Sequence, residues 1–303
     1  MIDATVIILT KNEEVHIGRL LTTVIPYFKR VCVVDSQSQD STLEICAAHG
    51  AHVFVNPWPG NHALQVNWAI ENIGIDTEWV FRLDADEVLP EKFLTKLSTY
   101  LGALPKLVGG VYLHRRHVFL GKKIWFGSIR PARILRIWRA GCGQCDDRLM
   151  DEKIVLCPGF ASHDYQEIFW DWNLKGLSHW IEKHNDYSAR EALEQVISKN
   201  RKLRFQHQID EDIQEEDFRS RLYRFFPFGL RGFLFFCYRF FLCAGFLDGF
   251  RGFLWHFFQG LWYRQLVDAK ILEMESAIKD DWKSFVELVK EKWGYTVVMI
   301  SDD

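Results

Sequence analysis

The sequence predicts an α/β fold with a mainly parallel sheet, followed by a C-terminal region of amphipathic, aromatic-rich helices. Short β-branched runs alternate with amphipathic stretches through the first hundred residues, which is typical of βαβ units. Farther along, 13 of the 24 Phe residues lie within residues 225–262. A chain of 303 residues is long enough for a core domain and an appendage. We therefore divide it into a domain (residues 1–200), a charged linker (201–224) and a helical region (225–303).

Four β-strands are predicted in the N-terminal part, each apolar throughout, as strands covered on both faces are. They span residues 4–10, 31–35, 51–55 and 78–83. Helices are predicted between them at residues 13–24, 41–48 and 62–73. Gly50 and Gly74 stand where the second and third helices should end, because glycine readily adopts the conformation that closes a helix.

The rest of the domain is predicted to be less regular. A helix at residues 91–101 is followed by two β-type runs, residues 110–119 and 132–138, with a turn at 121–123. Apolar residues at helical spacing then predict a long helix over residues 167–199.

Charge and cysteine content narrow the class of protein. The 37 basic and 40 acidic residues give a net charge of −3, so we expect no nucleic-acid partner. Seven Cys residues form no dense framework, which indicates a reducing compartment, and the N-terminus does not resemble a secretory signal. We therefore expect a cytoplasmic protein. Cys142 and Cys145 suggest a zinc site with Cys157 and His163, or a redox pair, but two reduced thiols is the interpretation we favour.

Polar clusters follow three of the predicted strands. Asp84 and Asp86 come directly after the fourth strand, and comparable clusters begin at Thr10 and at Asp35. Because the carboxyl ends of parallel strands share one edge of a sheet, these clusters predict a nucleotide pocket there. Two carboxylates two residues apart suit a hard divalent cation that also binds phosphate oxygens. A solvated turn with incidental acidic residues is the alternative for the aspartate pair alone.

Three segments together resemble family 2 glycosyltransferases with the GT-A fold, a Rossmann-like fold that binds nucleotide-diphospho-sugars. They are VIILTKNEE at residues 6–14, VVDSQSQDST at 33–42 and LDADE at 83–87. More narrowly, the sequence resembles the branch that includes bacterial lipopolysaccharide-core glucosyltransferases, whose C-terminal part is similar to GFLDG at residues 245–249 and WYR at 262–264.

The resemblance implies roles for individual residues. Asp84 and Asp86 would hold Mn²⁺ or Mg²⁺ against the diphosphate of a UDP-sugar, with His163 completing the site. The residues implied for donor binding are Thr10, Asn12, Glu13, Asp35, Gln65, Asn67 and Asp84. Apart from the resemblance, Arg130 and Arg133 are candidates to meet phosphate or the acceptor, although a surface cation is the safer interpretation of at least one of them.

Inverting transfer, which the resemblance also implies, needs a carboxylate base for the acceptor hydroxyl. The segment after residue 150 matches the place where the family has an acidic residue preceded by His. Asp151 stands in the His place here, so Glu152 is the first candidate for the base and Asp151 is the second. A charged turn before a strand is the structural alternative.

The aromatic C-terminal region is predicted to lie on a membrane. Four charged residues, Arg231, Arg239, Asp248 and Arg251, interrupt its apolar sequence, so no uncharged run is long enough to span a bilayer. Amphipathic helices with Phe and Trp on one face and Arg at the border bind the headgroup region. The alternative is that these helices pack on the catalytic domain or on another subunit of a homo-oligomer.

Together these features predict an inverting, metal-dependent glycosyltransferase. It would move a hexose from a nucleotide diphosphate sugar, UDP-linked by preference, to a lipid-linked saccharide or lipopolysaccharide acceptor at the inner face of the cell membrane. One alternative is a catalytically inactive, nucleotide-binding membrane scaffold. A sugar nucleotidyltransferase is disfavoured, because the first strand end lacks a Gly-rich phosphate-binding loop.

Overall fold

The computed structural model describes residues 1–127, 130–146, 153–199, 203–205, 226–293 and 297–299. The chain forms two compact units. The first comprises Met1–Ile124 and Ile129–Gly176, and the second comprises Trp125–Ser128 and Leu177–Asp303. The units therefore divide at Gly176 and not at residue 200, because the helix after this glycine packs with the C-terminal helices. All but residues 203–205 of the predicted linker lies outside the described residues.

The first unit begins with the predicted βαβ arrangement. Its strands are β1 (Ile2–Thr10), β2 (Phe28–Asp35), β3 (His52–Val55) and β4 (Trp79–Asp84), and the helices between them are α1 (Glu14–Val24), α2 (Thr42–Ala48) and α3 (His62–Asn72). β1 pairs in parallel with β2 and β4, and β2 also pairs in parallel with β3. Gly50 and Gly74 have φ angles of 76° and 65°, as predicted for residues that end helices.

An antiparallel extension completes the sheet. Its elements are β5 (Glu87–Val88), α4 (Glu91–Gly102), β6 (Val108–Phe119), β7 (Lys122–Lys123), β8 (Ala132–Arg139) and β11 (Ala161–Asp171). Within the described ranges, nine strands form one sheet in the order β3-β2-β1-β4-β8-β6-β11-β5, with β7 beside β6. β8 runs antiparallel to β4 and β6, which confirms the two predicted β-type runs. A small ribbon, β9 (Gly143–Cys145) and β10 (Ile154–Leu156), lies outside this sheet.

The long helix predicted over residues 167–199 is wrong at its N-terminal end. Residues 167–171 belong to β11, and α5 spans Gly176–Lys199. Tyr165 and Phe169 are buried, and their ring centroids lie 5.0 and 6.1 Å from that of Phe93. A spacing of four residues fits one face of a strand as well as one face of a helix. Residues 167–171 form a strand because the backbone of β11 pairs with that of β6.

The sheet is covered on both faces. Val6 and Ile8 lie in a core cluster with residues of α1 and α4, whereas Ile7 belongs to a second cluster with residues of α3. Alternate side chains of one strand therefore enter opposite cores, which explains why the strand is mainly apolar. This packing fixes the strand ends that carry the polar clusters.

The second unit is mainly helical. After α5 come α6 (Leu230–Cys237), a π-turn (Tyr238–Leu242), a 3₁₀ turn (Gly245–Asp248), α7 (Gly249–His256), a second π-turn (Phe257–Trp262), α8 (Tyr263–Asp280) and α9 (Trp282–Trp293). Its core joins α5, α8 and α9 through residues such as Leu193, Ile271 and Val289. β12 (Leu203–Phe205) pairs antiparallel with β13 (Val297–Met299).

Membrane-spanning potential in the described part of the chain is limited to one broken pair of helices. Each described helix taken alone is too short or too polar to cross a bilayer. Leu230–Leu242 and Gly245–Ile278, which are bent by 73° relative to each other, meet the length and composition requirements only together.

His256 should make the second unit sensitive to acid. The ring is fully buried, and neither nitrogen has a hydrogen-bond partner among the described residues. Burial lowers the pKa of His256 to about 4, with a further contribution from Arg239. In the unfolded chain His256 is thus protonated below about pH 6.5, whereas in the folded chain it is protonated only below about pH 4. The stability from neutral His256 is present above about pH 6.5 and is lost as the pH falls toward 4.

We therefore expect the free energy of unfolding to fall by on the order of 1 kcal/mol between about pH 7.5 and pH 5 on account of this group, after allowance for solvent screening. Urea unfolding at both pH values measures the change. His256→Leu is the matched variant, and its pH dependence should be smaller by that amount. Equal pH dependence in the two proteins would contradict the assignment.

Candidate functional site

The carboxyl ends of β1, β2 and β4 lie side by side at one edge of the sheet. In the strand pairing, Thr10 stands opposite Asp35, and Leu9 stands opposite Asp84. The structure thus brings together the three polar strand ends on which the predicted nucleotide pocket depends. Ligands of open α/β sheets bind outside this carboxyl edge.

Asp35 is fully buried beneath the loop that follows β2. Its Oδ2 accepts hydrogen bonds from Thr10 Oγ1 at 2.8 Å and Ser38 Oγ at 2.6 Å, and its Oδ1 accepts one from the Ser38 backbone N–H at 2.7 Å. A buried carboxylate needs such donors. Asp35 and Thr10 therefore fix the shape of the loop from below.

Asn12 joins the loops after β1 and β2. Its backbone N–H donates to Ser38 Oγ at 2.7 Å, and its Oδ1 accepts from the Gln39 N–H at 2.8 Å. Lys11 Nζ adds a 2.7 Å hydrogen bond to the carbonyl of Gln37. Asn12 and Gln37 have φ angles of 54° and 62°, a left-handed conformation that non-glycine residues adopt infrequently. The two loops are therefore held in a specific shape at the site edge.

The two α3 side chains singled out by sequence both make contacts within the protein. Gln65 is fully buried, accepts from Asn56 Nδ2 at 2.7 Å and donates to Ser36 Oγ at 3.1 Å. Asn67 Nδ2 donates to the Cys145 carbonyl, and Asn67 Oδ1 accepts from the Cys145 N–H, both at 2.9 Å. Gln65 therefore supports the loop after β2, while Asn67 fastens α3 to β9.

Asp84 lies among three arginines. Its Oδ2 is 2.6 Å from Arg136 Nη2 and 3.9 Å from Arg115 Nη1, and its Oδ1 is 3.5 Å from Arg82 Nη2. Burial disfavours the ionised carboxylate, but attraction to Arg136, Arg82 and Arg115 outweighs burial and holds the pKa of Asp84 well below its ordinary value. Asp84 therefore stays ionised, and the protein's own guanidinium groups balance its charge.

Glu87 shares Arg136 with Asp84. Its side chain is fully buried, Oε1 lies 2.9 Å from Arg136 Nη2, and Oε2 accepts from the Asp84 N–H at 3.0 Å. Burial raises the pKa of Glu87 to about 7, and the Asp84 charge adds to this effect against the attraction of Arg136 and Arg115. As the pH rises, Asp84 is therefore the first of the two carboxylates to ionise.

Arg136 is one of the residues of this cluster that sequence reasoning missed. It is buried in β8, whereas Arg133, which the sequence singled out, forms a two-pronged ion pair with Asp164 at 2.6 and 2.9 Å. The available signal was an arginine inside an otherwise apolar run, because a buried guanidinium needs a carboxylate partner. The register between β6 and β8 is irregular after Val111. A simple alternation of inward and outward residues therefore does not predict which way the Arg136 side chain points.

Asp86 lies against the loop that follows β11. Its Oδ2 accepts from Asn173 Nδ2 at 3.1 Å, and its backbone carbonyl accepts from the Trp172 N–H at 3.0 Å. Arg19 Nη2 donates to the carbonyls of both Asp86 and Trp172, at 3.2 and 2.8 Å. The second aspartate is thus positioned by residues far away in the sequence, which sequence reasoning did not identify.

Glu13 anchors the same loop. Its Oε1 lies 2.7 Å from Lys175 Nζ, and its Oε2 lies 2.6 Å from His16 Nδ1, while His16 Nε2 accepts from the Leu174 N–H at 2.7 Å. Because Nε2 is an acceptor, the proton of neutral His16 must sit on Nδ1. Burial alone would raise the pKa of Glu13, but hydrogen bonds from His16 and Lys175 lower it. The Glu13 carboxylate is therefore used to hold the loop beside Asp86.

His163 lies away from the carboxylates. It stands near the start of β11 opposite Val111, whereas Asp171 at the other end of this strand pairs with Glu87. Eight residues of extended strand correspond to about 26 Å. His163 Nδ1 lies 2.6 Å from Tyr100 Oη, so the structure does not bring it to the aspartates as a third metal ligand.

The residues named for the catalytic base, Asp151 and Glu152, lie outside the described residues. Their assignment stays a prediction from the sequence.

In the described part of the chain, a divalent cation at this sheet edge would have to take part of its ligands from a substrate. Among the described residues, no group of three or more His, Cys, Asp or Glu side chains could hold a metal ion, and this includes the cysteines considered for zinc. Mg²⁺-type ions keep several waters and bind one or two carboxylates together with substrate phosphates. Asp86 suits this role better than Asp84, whose charge is balanced by arginines. A diphosphate would supply the remaining ligands.

Comparison with curated proteins identifies bacterial glycosyltransferases. Over 199 residues the chain is 26% identical to the lipopolysaccharide core biosynthesis glycosyltransferase LpsC of Rhizobium meliloti, with 64% of this chain and 72% of that protein covered. Over 91 residues it is 39% identical to an uncharacterized glycosyltransferase of Rickettsia typhi. That match covers 30% of each protein, so the chain spans less than a third of this relative.

Two solved structures match smaller parts of the chain. Glucosyl-3-phosphoglycerate synthase of Mycobacterium tuberculosis, crystallised with Mn²⁺, UDP and glucosyl-3-phosphoglycerate, is 20% identical with a TM-score of 0.32, covering 37% of this chain and 44% of that one. TarS of S. aureus in complex with UDP is 22% identical with a TM-score of 0.33, covering 39% and 36%.

The family match extends over most of the chain. Residues 5–229 match the sequence model of glycosyl transferase family 2, from the first strand into the second unit. The parallel strands, their polar carboxyl ends and the antiparallel extension form the GT-A architecture that the sequence resemblance implied. The chain belongs to glycosyl transferase family 2.

Proposed function

We propose that this protein is a glycosyltransferase that moves a hexose from a nucleotide diphosphate sugar, UDP-linked by preference, to a hydroxyl of a lipid-linked saccharide. The supporting observation is the convergence of the β1, β2 and β4 ends at one edge, with two shaped loops beside an aspartate pair. Membership of glycosyl transferase family 2 supports sugar transfer.

The loops after β1 and β2 form the nucleotide end of the proposed site. Asp35 and Asn12 hydrogen-bond to the backbone of the loop after β2, so they fix the surface against which a base and a ribose would lie. The structural contacts of Asp35, Glu13, Gln65 and Asn67 indicate that these side chains act mainly by positioning. Direct contacts then come from the loops that they support.

Asp86 forms the diphosphate end of the proposed site. It would hold Mn²⁺ or Mg²⁺, with Asp84 beside it, and the cation would neutralise charge on the departing nucleoside diphosphate. Arg136 and Arg115 keep Asp84 in place and ionised. Asn173 and Arg19 hold the Asp86 turn, so the carboxylate is oriented before the donor binds.

The assignment of residues at the acceptor end of the proposed site depends on the sequence alone. Glu152, or Asp151, would take the proton from the acceptor hydroxyl on the face opposite the leaving group, which gives inversion at the anomeric carbon. We place the reaction at the inner face of the cell membrane, where a lipid-linked saccharide presents its sugar. The relative named for lipopolysaccharide core biosynthesis supports an acceptor of this kind.

Calorimetric titration tests the donor proposal. The purified full chain is titrated with UDP and with GDP, each with and without Mn²⁺. We expect UDP to bind more tightly than GDP. We expect Mn²⁺ to strengthen UDP binding by about tenfold or more, because Asp86 would hold the ion and the ion would attract the diphosphate. A folded protein that binds neither nucleotide would refute the proposal.

A further inference from the structure

The segment from Leu230 to Ile278 folds as a helical hairpin. Its first arm is Leu230–Leu242, and its second arm is Gly245–Ile278. Contacts between the arms run from the Arg231–Asp268 ion pair at one end to the rings of Phe240 and Phe253, 5.6 Å apart, at the other. Residues 241–250 are therefore farthest from the ion pair, and we call them the hairpin tip.

The hairpin tip presents large apolar side chains outward. Five of them are between 50% and 80% exposed: Phe241, Leu242, Phe246, Leu247 and Phe250. Leu242 alone is 80% exposed. Scattered exposed hydrophobic residues are ordinary, but five within ten residues form a patch that water-soluble surfaces avoid unless it binds something.

A second segment adds to the hairpin tip. Trp125 and Phe126 are 45% and 42% exposed, and their backbone N–H groups donate to Asp248 Oδ2 at 3.0 and 2.8 Å. The next residue, Gly127, donates its N–H to the Cys243 carbonyl at 2.9 Å. Buried Asp248 therefore holds the backbone of Trp125 and Phe126 beside the hairpin tip, and we call this contact the Asp248 clamp.

The charged groups of the first arm and the tip turn inward. Arg231 pairs with Asp268, and both side chains are 4% exposed. Asp248 is buried in the clamp, and Arg239 is half-buried with its Nε donating to the Gly127 carbonyl at 3.2 Å. Phenylalanine and leucine face outward while charges face inward, which is the reverse of an ordinary soluble helix.

Charge and length select the occupant of this surface. Asp248 is the only acidic residue within residues 230–262, and it is buried, whereas Arg251 at the border is exposed. An apolar patch with a basic border complements anionic headgroups. The first arm of 13 residues is about 20 Å long, which reaches into one leaflet but does not cross a hydrocarbon core of about 30 Å. A tryptophan at the edge suits the bilayer interface.

We infer that the hairpin tip, with Trp125 and Phe126, inserts into one leaflet of an anionic lipid bilayer and holds the protein at its surface. The inference deepens the proposed function, since it assigns the membrane contact to particular residues and adds a segment between β7 and β8 that composition did not mark. The Asp248 clamp joins this segment to the hairpin.

Vesicle flotation of the full chain tests this inference. One set of vesicles is phosphatidylcholine, and the other also contains phosphatidylglycerol. We expect the wild type to float with the anionic vesicles, and Leu242→Asp with Phe250→Asp to reduce the floated fraction by about tenfold or more, since carboxylates resist burial in lipid. Leu272→Asp is the matched control, because Leu272 is also exposed but lies beyond the ion pair. The control should float as the wild type does.

A folded wild type that floats with neither set of vesicles would overturn the inference, and so would a double variant that floats as the wild type does. A third contrary result is a wild-type dimer that the two substitutions dissociate while the floated fraction stays the same. The last would identify a second copy of the chain as the occupant. Circular dichroism checks folding, and Leu242→Asp alone replaces a double variant that does not fold. Flotation without UDP binding would refute the proposed function and leave this inference intact.

Discussion

Asp86→Asn should lower the rate of sugar transfer by about 10²–10³-fold. The substitution keeps the size of the side chain but removes the anionic oxygen that would hold the cation against the diphosphate. We expect the Mn²⁺-dependent part of UDP binding to disappear, while the weaker metal-free binding at the loops persists. Titration with UDP and turnover with UDP-hexoses measure the two effects separately.

Asp76→Asn is the matched control for this prediction. Asp76 lies in the same unit, is 70% exposed and is 3.9 Å from Arg30, so its charge is remote from the proposed chemistry and mostly hydrated. This variant should bind UDP and turn over as the wild type does. If Asp86→Asn retained Mn²⁺-dependent binding, the cation would have another protein ligand and our assignment would fail.

Asp268→Ala should destabilise the second unit by about 3–5 kcal/mol. Asp268 accepts hydrogen bonds from Arg231 Nε at 2.8 and 3.0 Å and from the Gly229 N–H at 3.1 Å, and both charged side chains are almost fully buried. Removal of the carboxylate takes the ion-pair partner away from a guanidinium that is 4% exposed. Urea unfolding of the full chain measures the loss.

An exposed pair in the same unit provides the comparison. Lys199 Nζ lies 3.5 Å from Glu275 Oε1, with side chains that are 43% and 39% exposed. Glu275→Ala should change the free energy of unfolding by less than about 1 kcal/mol. Combined Arg231→Met and Asp268→Leu should recover most of the stability, because neither charged member of this pair remains. A loss from Asp268→Ala no larger than that from Glu275→Ala would contradict this account.

The parallel strands were predictable because the apolar composition of each strand reflects the burial of both its faces. β1 is mainly apolar since both faces are covered, and the glycines after α2 and α3 mark where those helices end. Residues 167–171 were not predictable in the same way. Their apolar spacing suits a helix, and only the open edge of β6, far away in the sequence, selects a strand.

The location of the candidate site at the sheet edge was predictable, but the contacts of its side chains were not. Parallel pairing puts Thr10, Asp35 and Asp84 at one edge whatever their side chains do. Whether a carboxylate faces a ligand or its own protein depends on partners such as Arg136 and Lys175, which are distant in sequence. A motif names the residues at a site, but the surrounding strands decide which of them remain available.

The shape of the loops after β1 and β2 has a thermodynamic consequence. Ordering a flexible side chain during binding costs about 0.5–1.5 kcal/mol in conformational entropy. Because Asn12, Asp35 and Lys11 immobilise these loops during folding, that entropy is lost before a nucleotide arrives. A ligand that fits the existing shape therefore binds with little entropic penalty. One that requires a different loop shape must also break this hydrogen-bond network, so the rigidity that favours one base discriminates against others.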